Sequence, residues 1–237
     1  AIEIGMLEHA CVKTQAPKQR VLPLPKKEKR IAVAGSKLSG LTAAWDLSRK
    51  GYNVTVFEVG GELGENLLSI PKEILPHDLV KEEIGILFTL GVEAELNSNV
   101  YDEKLIAYLS DRYDALYLGP DYGGLSSIFS ERENIFFGGF SQYDPKSPVW
   151  QAAEGRWAAT SIDRFLQKVS LTAGREKDGP FSTRLYTNID NISYLPAVKP
   201  QNPEAGYTPE EAMQEAGRCL QCECLECVKA CSYLEKF

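Results

Sequence analysis

The sequence is poor in histidine and contains neither a long apolar run nor an extended basic region. Its two histidines, His9 and His77, are not at metal-ligand spacing from a cysteine or a carboxylate. No stretch of about 18 apolar residues is present, so no membrane-spanning helix is expected. The net charge of −7 argues against a nucleic-acid-binding protein, which needs a basic face. Nucleophile-elbow, P-loop and paired-carboxylate signatures are also missing.

The first residues, AIEIGMLEHACVKTQ, lack the charged-then-apolar pattern of a secretory signal peptide. Closely spaced thiols in a chain without that signal indicate a reducing compartment, so we expect a cytoplasmic protein. The length of 237 residues allows one large domain or two small ones. The apolar content of 43% and the charged content of 25% are typical of a globular fold.

Cysteine is concentrated near the carboxyl end, and only Cys11 lies elsewhere. The run RCLQCECLECVKAC contains Cys219, Cys222, Cys224, Cys227 and Cys231. A [4Fe–4S] cluster needs four thiolates that converge from one short stretch. Structural zinc is the alternative, but zinc sites favour two CxxC knuckles with a longer spacer than the one found here. We therefore predict a [4Fe–4S] cluster on Cys219, Cys222, Cys227 and Cys231, with Cys224 as the spare thiol.

Apolar β-rich runs alternate with helical patterns from residue 30 onwards. Strands are predicted at residues 30–35, 53–58, 92–96, 114–118 and 135–140. Helices are predicted at residues 38–50, 76–90, 103–110 and 150–168, and from a Thr208-Pro-Glu-Glu cap onwards. The apolar face of the helix at 150–168 is expected to include Trp150 and Trp157. This alternation predicts an α/β fold with a doubly wound sheet.

Four segments follow from this pattern. Residues 1–30 form an N-terminal arm and linker, and residues 31–170 form a Rossmann-like domain. Residues 171–207, which are interrupted by Pro, Gly and Asn, are expected to wrap the surface as irregular structure with short strands. Residues 208–237 form the cysteine-rich segment.

The turn between the first strand and the first helix of this domain has part of a dinucleotide fingerprint. Gly35 and Gly40 occupy the first and third glycine positions of G-x-G-x-x-G, whereas Lys37 replaces the second glycine. Glu58 ends the next strand, where it is placed to accept hydrogen bonds from an adenosine ribose. The alternative is a tight strand–helix turn such as any α/β fold contains.

Longer motifs extend over about two-thirds of the chain. They are GLTAAWDLSRKGYNVTVFE (40–58), GGELGENLLSIPKEILP (60–76), EEIGILFTLGVE (82–93), YDALYL (113–118), FFGGF (136–140) and AAEGRWAATSIDRFL (152–166). In this order they resemble the glutamate synthase small-subunit family, NADPH-dependent flavoproteins that include the N-terminal half of dihydropyrimidine dehydrogenase. The resemblance implies an FAD-type Rossmann-like domain and an iron–sulfur segment. It also implies flavin contacts at Gly60, Gly61, Asn66, Leu67 and Gly139.

The chain departs from that family at two places. The family inserts an NADPH domain after the YDALYL strand, but only residues 119–134 stand there, and a nucleotide domain needs on the order of 100 residues. Phe140 replaces the aspartate of the family's Gly-Gly-Asp, which contacts the ribityl chain. The resemblance therefore implies an oxidoreductase component that does not act alone on NAD(P)H.

Two functions remain open at this point. The favoured one is an electron-transfer subunit or domain of an anaerobic-type redox complex, with a [4Fe–4S] cluster and FAD. Its partners would be other redox subunits or a larger parent chain. The alternative is a degenerate flavoprotein scaffold without flavin, which docks a cluster or a partner subunit.

Overall fold

The computed structural model describes residues 2–14, 22, 24–119, 125, 127–138, 147–175, 193 and 195–219. The chain divides into two compact units. One is Arg20–Gly174, and the other combines Ala1–Gln19 with Arg175–Phe237. The predicted ligands Cys222, Cys227 and Cys231 lie outside the described residues, as do Cys224, Gly139 and Phe140.

Five parallel strands form the centre of the larger unit. They are β1 (Arg30–Ala34), β2 (Asn53–Phe57), β3 (Glu93–Glu95), β4 (Ala115–Leu118) and β5 (Ile135–Phe137), in the spatial order β3-β2-β1-β4-β5. Ala32 of β1 pairs with Thr55 on one side and with Leu116 on the other. The predicted α/β, Rossmann-like class is therefore confirmed. In such sheets ligands bind at the carboxyl ends of the strands, where the strand order reverses.

The described helices are α1 (Ile4–Thr14), α2 (Leu38–Arg49), α3 (Glu65–Leu68), α4 (His77–Thr89), α5 (Glu103–Arg112), α6 (Pro148–Leu166) and α7 (Pro209–Gly217). Within the described part of the chain, none of them combines the length and the apolar character needed to cross a bilayer. Successive residues of β1 point to opposite faces of the sheet. Ile31 and Val33 pack in the core with α2 and α6, whereas Ala32 and Ala34 pack in the core with α5.

Helix α6 packs on α2 through small side chains rather than through the predicted tryptophans. Its buried residues are Gly155, Ala158, Ala159 and Ile162. Trp157 is 56% exposed, so the expectation that it faces the core is wrong. Closely packed helices need small residues where their backbones approach, and a tryptophan does not fit there.

The far end of α6 is tied to the β2 side of the sheet by Asp163. Its carboxylate accepts hydrogen bonds from Lys50 Nζ at 2.6 Å and from the Tyr52 hydroxyl at 2.7 Å. Burial opposes ionisation of this carboxyl group, but these donors and Gln167 outweigh that effect and hold its pKa at about 2.

The smaller unit contains helices from both ends of the chain. Residues 4–14, predicted as part of an arm, form helix α1, which contacts α7. The predicted cap of α7 is confirmed, because Thr208 and Glu211 form a capping box. The described residues between 171 and 207 contain no strand, and the expected short strands stay a prediction for the rest of this segment. The sequence did not predict helix α1, because α7, the helix that it contacts, is remote in the sequence.

Candidate functional site

A pocket of about 300 Å³ opens at the carboxyl ends of β1 and β2. Its volume is at the lower end of the range for small-molecule sites. The pocket is lined by Gly35, Ser36, Lys37, Glu58, Val59, Glu65, Asn66, Ser69, Val100 and Tyr101. It therefore lies at the carboxyl edge of the parallel sheet, where such sheets bind ligands, on the β2 side of the reversal between β1 and β4.

Glu58, directly after β2, is held by three hydrogen bonds from two residues, Ser36 and Gly60. Its Oε2 accepts hydrogen bonds from the backbone nitrogen of Ser36 at 2.7 Å and from the Ser36 hydroxyl at 2.5 Å. Its Oε1 accepts one from the backbone nitrogen of Gly60 at 3.0 Å. The Ser36 hydroxyl in turn accepts from the backbone nitrogen of Gly64 at 2.8 Å. Ser36 thus joins the β1–α2 turn, the acid after β2 and the loop that follows.

These donors decide the charge of Glu58, which is 9% exposed. Burial disfavours the ionised carboxylate, but the hydrogen bonds from Ser36 and Gly60 outweigh that penalty and lower the pKa of Glu58 below its ordinary value. The group is therefore a fixed anion at neutral pH. An anion in this position can accept hydrogen bonds from ligand hydroxyl groups and repels a phosphate placed against it.

The predicted glycines of the β1–α2 turn have separate steric roles. Gly35 has a φ of +91°, a conformation that L side chains rarely adopt. A Cβ atom at Gly40 would lie 2.1 Å from the Gly35 carbonyl oxygen, so only glycine lets α2 begin this close to the turn. Lys37 caps α2 with φ −66° and ψ 167°, an extended conformation that any residue adopts. Lysine therefore fits the second position without backbone strain, and its side chain lines the pocket.

The loop after β2 places its predicted residues differently. Asn66 lines the pocket, whereas Leu67 packs against the hydrophobic core. Gly60 supports Glu58, and a Cβ atom at Gly60 would meet Glu65 Oε2 at 2.1 Å. A Cβ atom at Gly61 would meet nothing within 4 Å, so packing does not require glycine at this position.

Sequence reasoning missed six residues that line the pocket: Ser36, Val59, Glu65, Ser69, Val100 and Tyr101. A signal for Ser36 was present, since it is a small hydroxyl residue next to the first glycine of the turn. Glu65 and Ser69 lie in and after α3, a short helix that periodicity does not reveal. Tyr101 follows β3 and reaches the pocket only because the sheet is folded.

The thiol segment begins at the end of α7. Cys219 is a free, exposed cysteine, and its backbone nitrogen donates to the Ala216 carbonyl at 3.0 Å, which ends the helix. Among the described residues, no three His, Cys, Asp or Glu side chains are grouped closely enough to hold a metal. Cys219 is the only predicted cluster ligand within that part of the chain.

Comparison with known proteins agrees with this architecture. Residues 33–101, which contain most of the pocket, match the family model described as NAD(P)-binding Rossmann-like domain. The NADP(+)-dependent formate dehydrogenase subunit beta of Moorella thermoacetica is 34% identical over 116 residues, or 47% of this chain and 16% of that protein. The NADPH-Fe(3+) oxidoreductase subunit beta of Geobacter sulfurreducens is 28% identical over 123 residues, or 50% of this chain and 18% of that protein.

A third relative carries the resemblance inferred from the motifs. The glutamate synthase (NADPH) small chain of Bacillus subtilis is 32% identical over 98 residues, or 40% of this chain and 20% of that protein. The match thus spans a fifth or less of each of these three relatives. The predicted resemblance is confirmed at the level of oxidoreductases with an NAD(P)-binding Rossmann-like domain.

Proposed function

We propose that this chain is an electron-transfer component of a redox complex. It would hold a [4Fe–4S] cluster on Cys219, Cys222, Cys227 and Cys231 and an FAD in the pocket beside Glu58. Its partners would be other redox subunits or further parts of a longer chain. The names of the relatives support this role, because each denotes a chain of an oxidoreductase or a synthase that uses NADP(H).

The cysteine spacing is the observation that carries the proposal. Four thiols at CxxCx4Cx3C spacing provide the donor set of a cubane cluster. The described ligand, Cys219, fits that use because its thiol is exposed and unpaired at the end of a capped helix. When bound, the cluster would supply one-electron transfer. The protein would bring the four thiolates together around the cluster.

The pocket supports a nucleotide with a free ribose. The fixed carboxylate of Glu58 suits the hydroxyl groups of an adenosine ribose, whereas a 2′-phosphate there would meet an ionised group. The amino end of α2 faces the same turn and favours a pyrophosphate. FAD satisfies both conditions, which is why we prefer it to NADP(H) in this pocket.

A scaffold without flavin is the second candidate, and the pocket wall contains an observation that favours it. Lys37 fills the place of the glycine that lets a pyrophosphate approach, and Glu65 adds a second carboxylate beside Glu58. Glu65 repels an anionic cofactor, and the Lys37 side chain obstructs its approach, although the Lys37 ammonium can pair with a phosphate. The two candidates therefore differ in flavin content, and the scaffold would dock either a cluster or a partner subunit.

Cofactor analysis separates these possibilities. Protein purified and reconstituted without oxygen should contain about four iron and four sulfide per chain. Cys219→Ser should lose the cluster, while Cys11→Ser, which removes the other described free thiol, should keep it. Stoichiometric zinc without broad visible absorption would refute the cluster.

Flavin is then measured after denaturation of protein reconstituted with excess FAD. Near-stoichiometric FAD supports the favoured function, and less than about a tenth of an equivalent supports the scaffold. Glu58→Gln should weaken FAD binding by about tenfold or more, because a charged acceptor is lost. Glu62→Gln, at an exposed position of the same loop, is the matched control and should bind FAD like the parent.

Direct reduction by a nicotinamide is not expected. Residues 119–134 connect β4 to β5, and this connection is too short for a second nucleotide domain. Electrons should therefore arrive from partner proteins. Anaerobic stopped-flow mixing with NADPH or NADH should leave the absorption spectrum unchanged, and rapid bleaching would contradict the proposal.

A further inference from the structure

Helix α7 buries two acidic side chains on one face. Glu211 and Glu215 are four residues apart, and they are 7% and 0% exposed. Residues at this spacing lie on the same side of a helix. Buried carboxylates are costly unless they are hydrogen-bonded or paired, so this face must be matched by donors.

The donors come from residues 195–201, which we call the strap. The backbone nitrogen of Gln201 donates to Glu211 Oε1 at 2.9 Å, and that of Val198 donates to Glu215 Oε2 at 2.9 Å. At the third contact the direction is reversed, because Arg218 Nη2 donates a hydrogen bond to the Leu195 carbonyl oxygen of the strap at 2.8 Å. As the helix advances from 211 to 218, the strap runs back from 201 to 195.

The strap contacts α7 at every third residue, which is the period of a polyproline-II chain. Its sequence, LPAVKPQ, contains Pro196 and Pro200. The strap belongs to no helix or strand, so its backbone groups need partners elsewhere. Side chains of α7 thus provide the partners that a neighbouring strand would provide in a sheet.

Glu215 is the centre of this assembly. Besides the strap, its Oε1 accepts a hydrogen bond from the backbone nitrogen of Glu3 at 3.0 Å and an ion-paired hydrogen bond from Arg218. Three separate segments therefore meet on one buried carboxylate: the residue before α1, the strap and the end of α7. Arg218 joins the carboxylate to the strap from the other side.

This assembly ends next to the first predicted cluster ligand. Arg218 immediately precedes Cys219. The two residues that Arg218 binds, Glu215 and Leu195, belong to the same unit as Cys219. The backbone on the amino-terminal side of Cys219 is held by the bond from the Cys219 nitrogen to Ala216 and by the guanidinium of Arg218, which is bound to Leu195. The Cys219 thiol is nevertheless exposed.

We propose that Glu215 and Arg218 are positioning residues for the iron–sulfur cluster. They hold the backbone from which Cys219 projects, so that one ligand is preorganised before iron is bound. This inference rests on the proposed cluster function. Residues that orient a metal ligand typically change metal affinity by about 10- to 100-fold when they are replaced.

The test compares Glu215→Gln with Glu210→Gln, an exposed glutamate on the same helix. Each protein is reconstituted anaerobically, and the rate of iron release to a chelator is followed by the loss of visible absorption. Glu215→Gln should release iron about tenfold faster or more than the parent, and Glu210→Gln should match the parent. Arg218→Lys, which keeps the charge but loses the planar fork, should fall between them.

Circular dichroism of each variant before reconstitution shows whether the helices remain. If Glu215→Gln loses helical signal, the comparison rests on Arg218→Lys against the parent. Equal release rates for the parent and the folded variants would overturn this inference and leave the cluster itself intact. A parent that takes up no iron would overturn the proposed function, and this inference would fall with it.

Discussion

Replacing Gly155 by alanine should destabilise the larger unit, although alanine is the better helix former. Gly155 lies within α6 where this helix crosses α2. An added Cβ atom would lie 2.2 Å from the carbonyl oxygen of Ser39 and 3.0 Å from Thr42 Cβ. The first contact is with backbone of α2, so the two helices must move apart.

The expected magnitude is the difference of two effects. Overpacking at a backbone contact this short costs about 3 kcal/mol, the upper end of the usual range. Replacing glycine within a helix returns about 1 kcal/mol of intrinsic helix propensity. The free energy of unfolding should therefore fall by about 2 kcal/mol, which lowers Tm by about 4–8 °C in a unit of this size.

Gly85 in α4 is the matched control, because a Cβ atom there would meet nothing within 4 Å. Gly85→Ala has only the propensity gain and should be more stable than the parent by about 0.5–1 kcal/mol. Urea denaturation of the parent and both variants measures the two changes. A Gly155→Ala protein as stable as the parent would refute the claim that α2 and α6 touch backbone to backbone here.

Three further results are expected. Asp163→Asn should lower the free energy of unfolding at neutral pH by about 1–2 kcal/mol, allowing for solvent screening. Because the folded-state pKa of Asp163 is depressed, the difference in unfolding free energy between the parent and the variant should be complete above a pH of about 4 and should vanish toward pH 2. A difference that does not change with pH would contradict this account. Ser36→Ala should raise the pKa of Glu58 toward its ordinary value, which carbon-13 NMR titration of the carboxyl group measures, and an unchanged pKa would disprove the role of the hydroxyl. Gly40→Ala should lower Tm strongly, whereas Gly61→Ala should change stability by less than about 0.5 kcal/mol; equal effects would contradict the steric account.

Local sequence patterns predicted the strands and long helices of the larger unit, because each of them is specified by residues that are close together in the sequence. The alternation of apolar strands and helices located all five strands and the four longest helices of this unit. Gly35 and Gly40 located the turn, since a positive φ and a close contact leave glycine little alternative. Glu58 was located by its distance from that turn. The cluster ligands inferred from the cysteine spacing and the flavin contacts inferred from the family resemblance stay predictions.

What local patterns missed depends on contacts between distant segments. Helix α1 is stabilised by α7, from which it is separated by most of the sequence, so its own residues give little signal. In α6, Trp157 was expected to face the core, yet small residues face α2. Tyr101 reaches the pocket only through folding of the sheet, whereas Ser36 lies in the turn itself. No sequence motif predicts that the Ser36 hydroxyl bridges the Glu58 carboxylate and the backbone nitrogen of Gly64, which is 28 residues further along the chain.

The bond from the Glu3 backbone nitrogen to Glu215 spans 212 positions of the chain, and this has a consequence for the order of assembly. During synthesis, α1 leaves the ribosome long before the residues that complete its contacts exist, while the sheet between them can already form. Closing so long a loop is slow for a chain that must search for it, but a folded intervening domain shortens the search. We therefore expect the smaller unit to fold last. The proposed cluster would then be assembled only after the Rossmann-like sheet is in place.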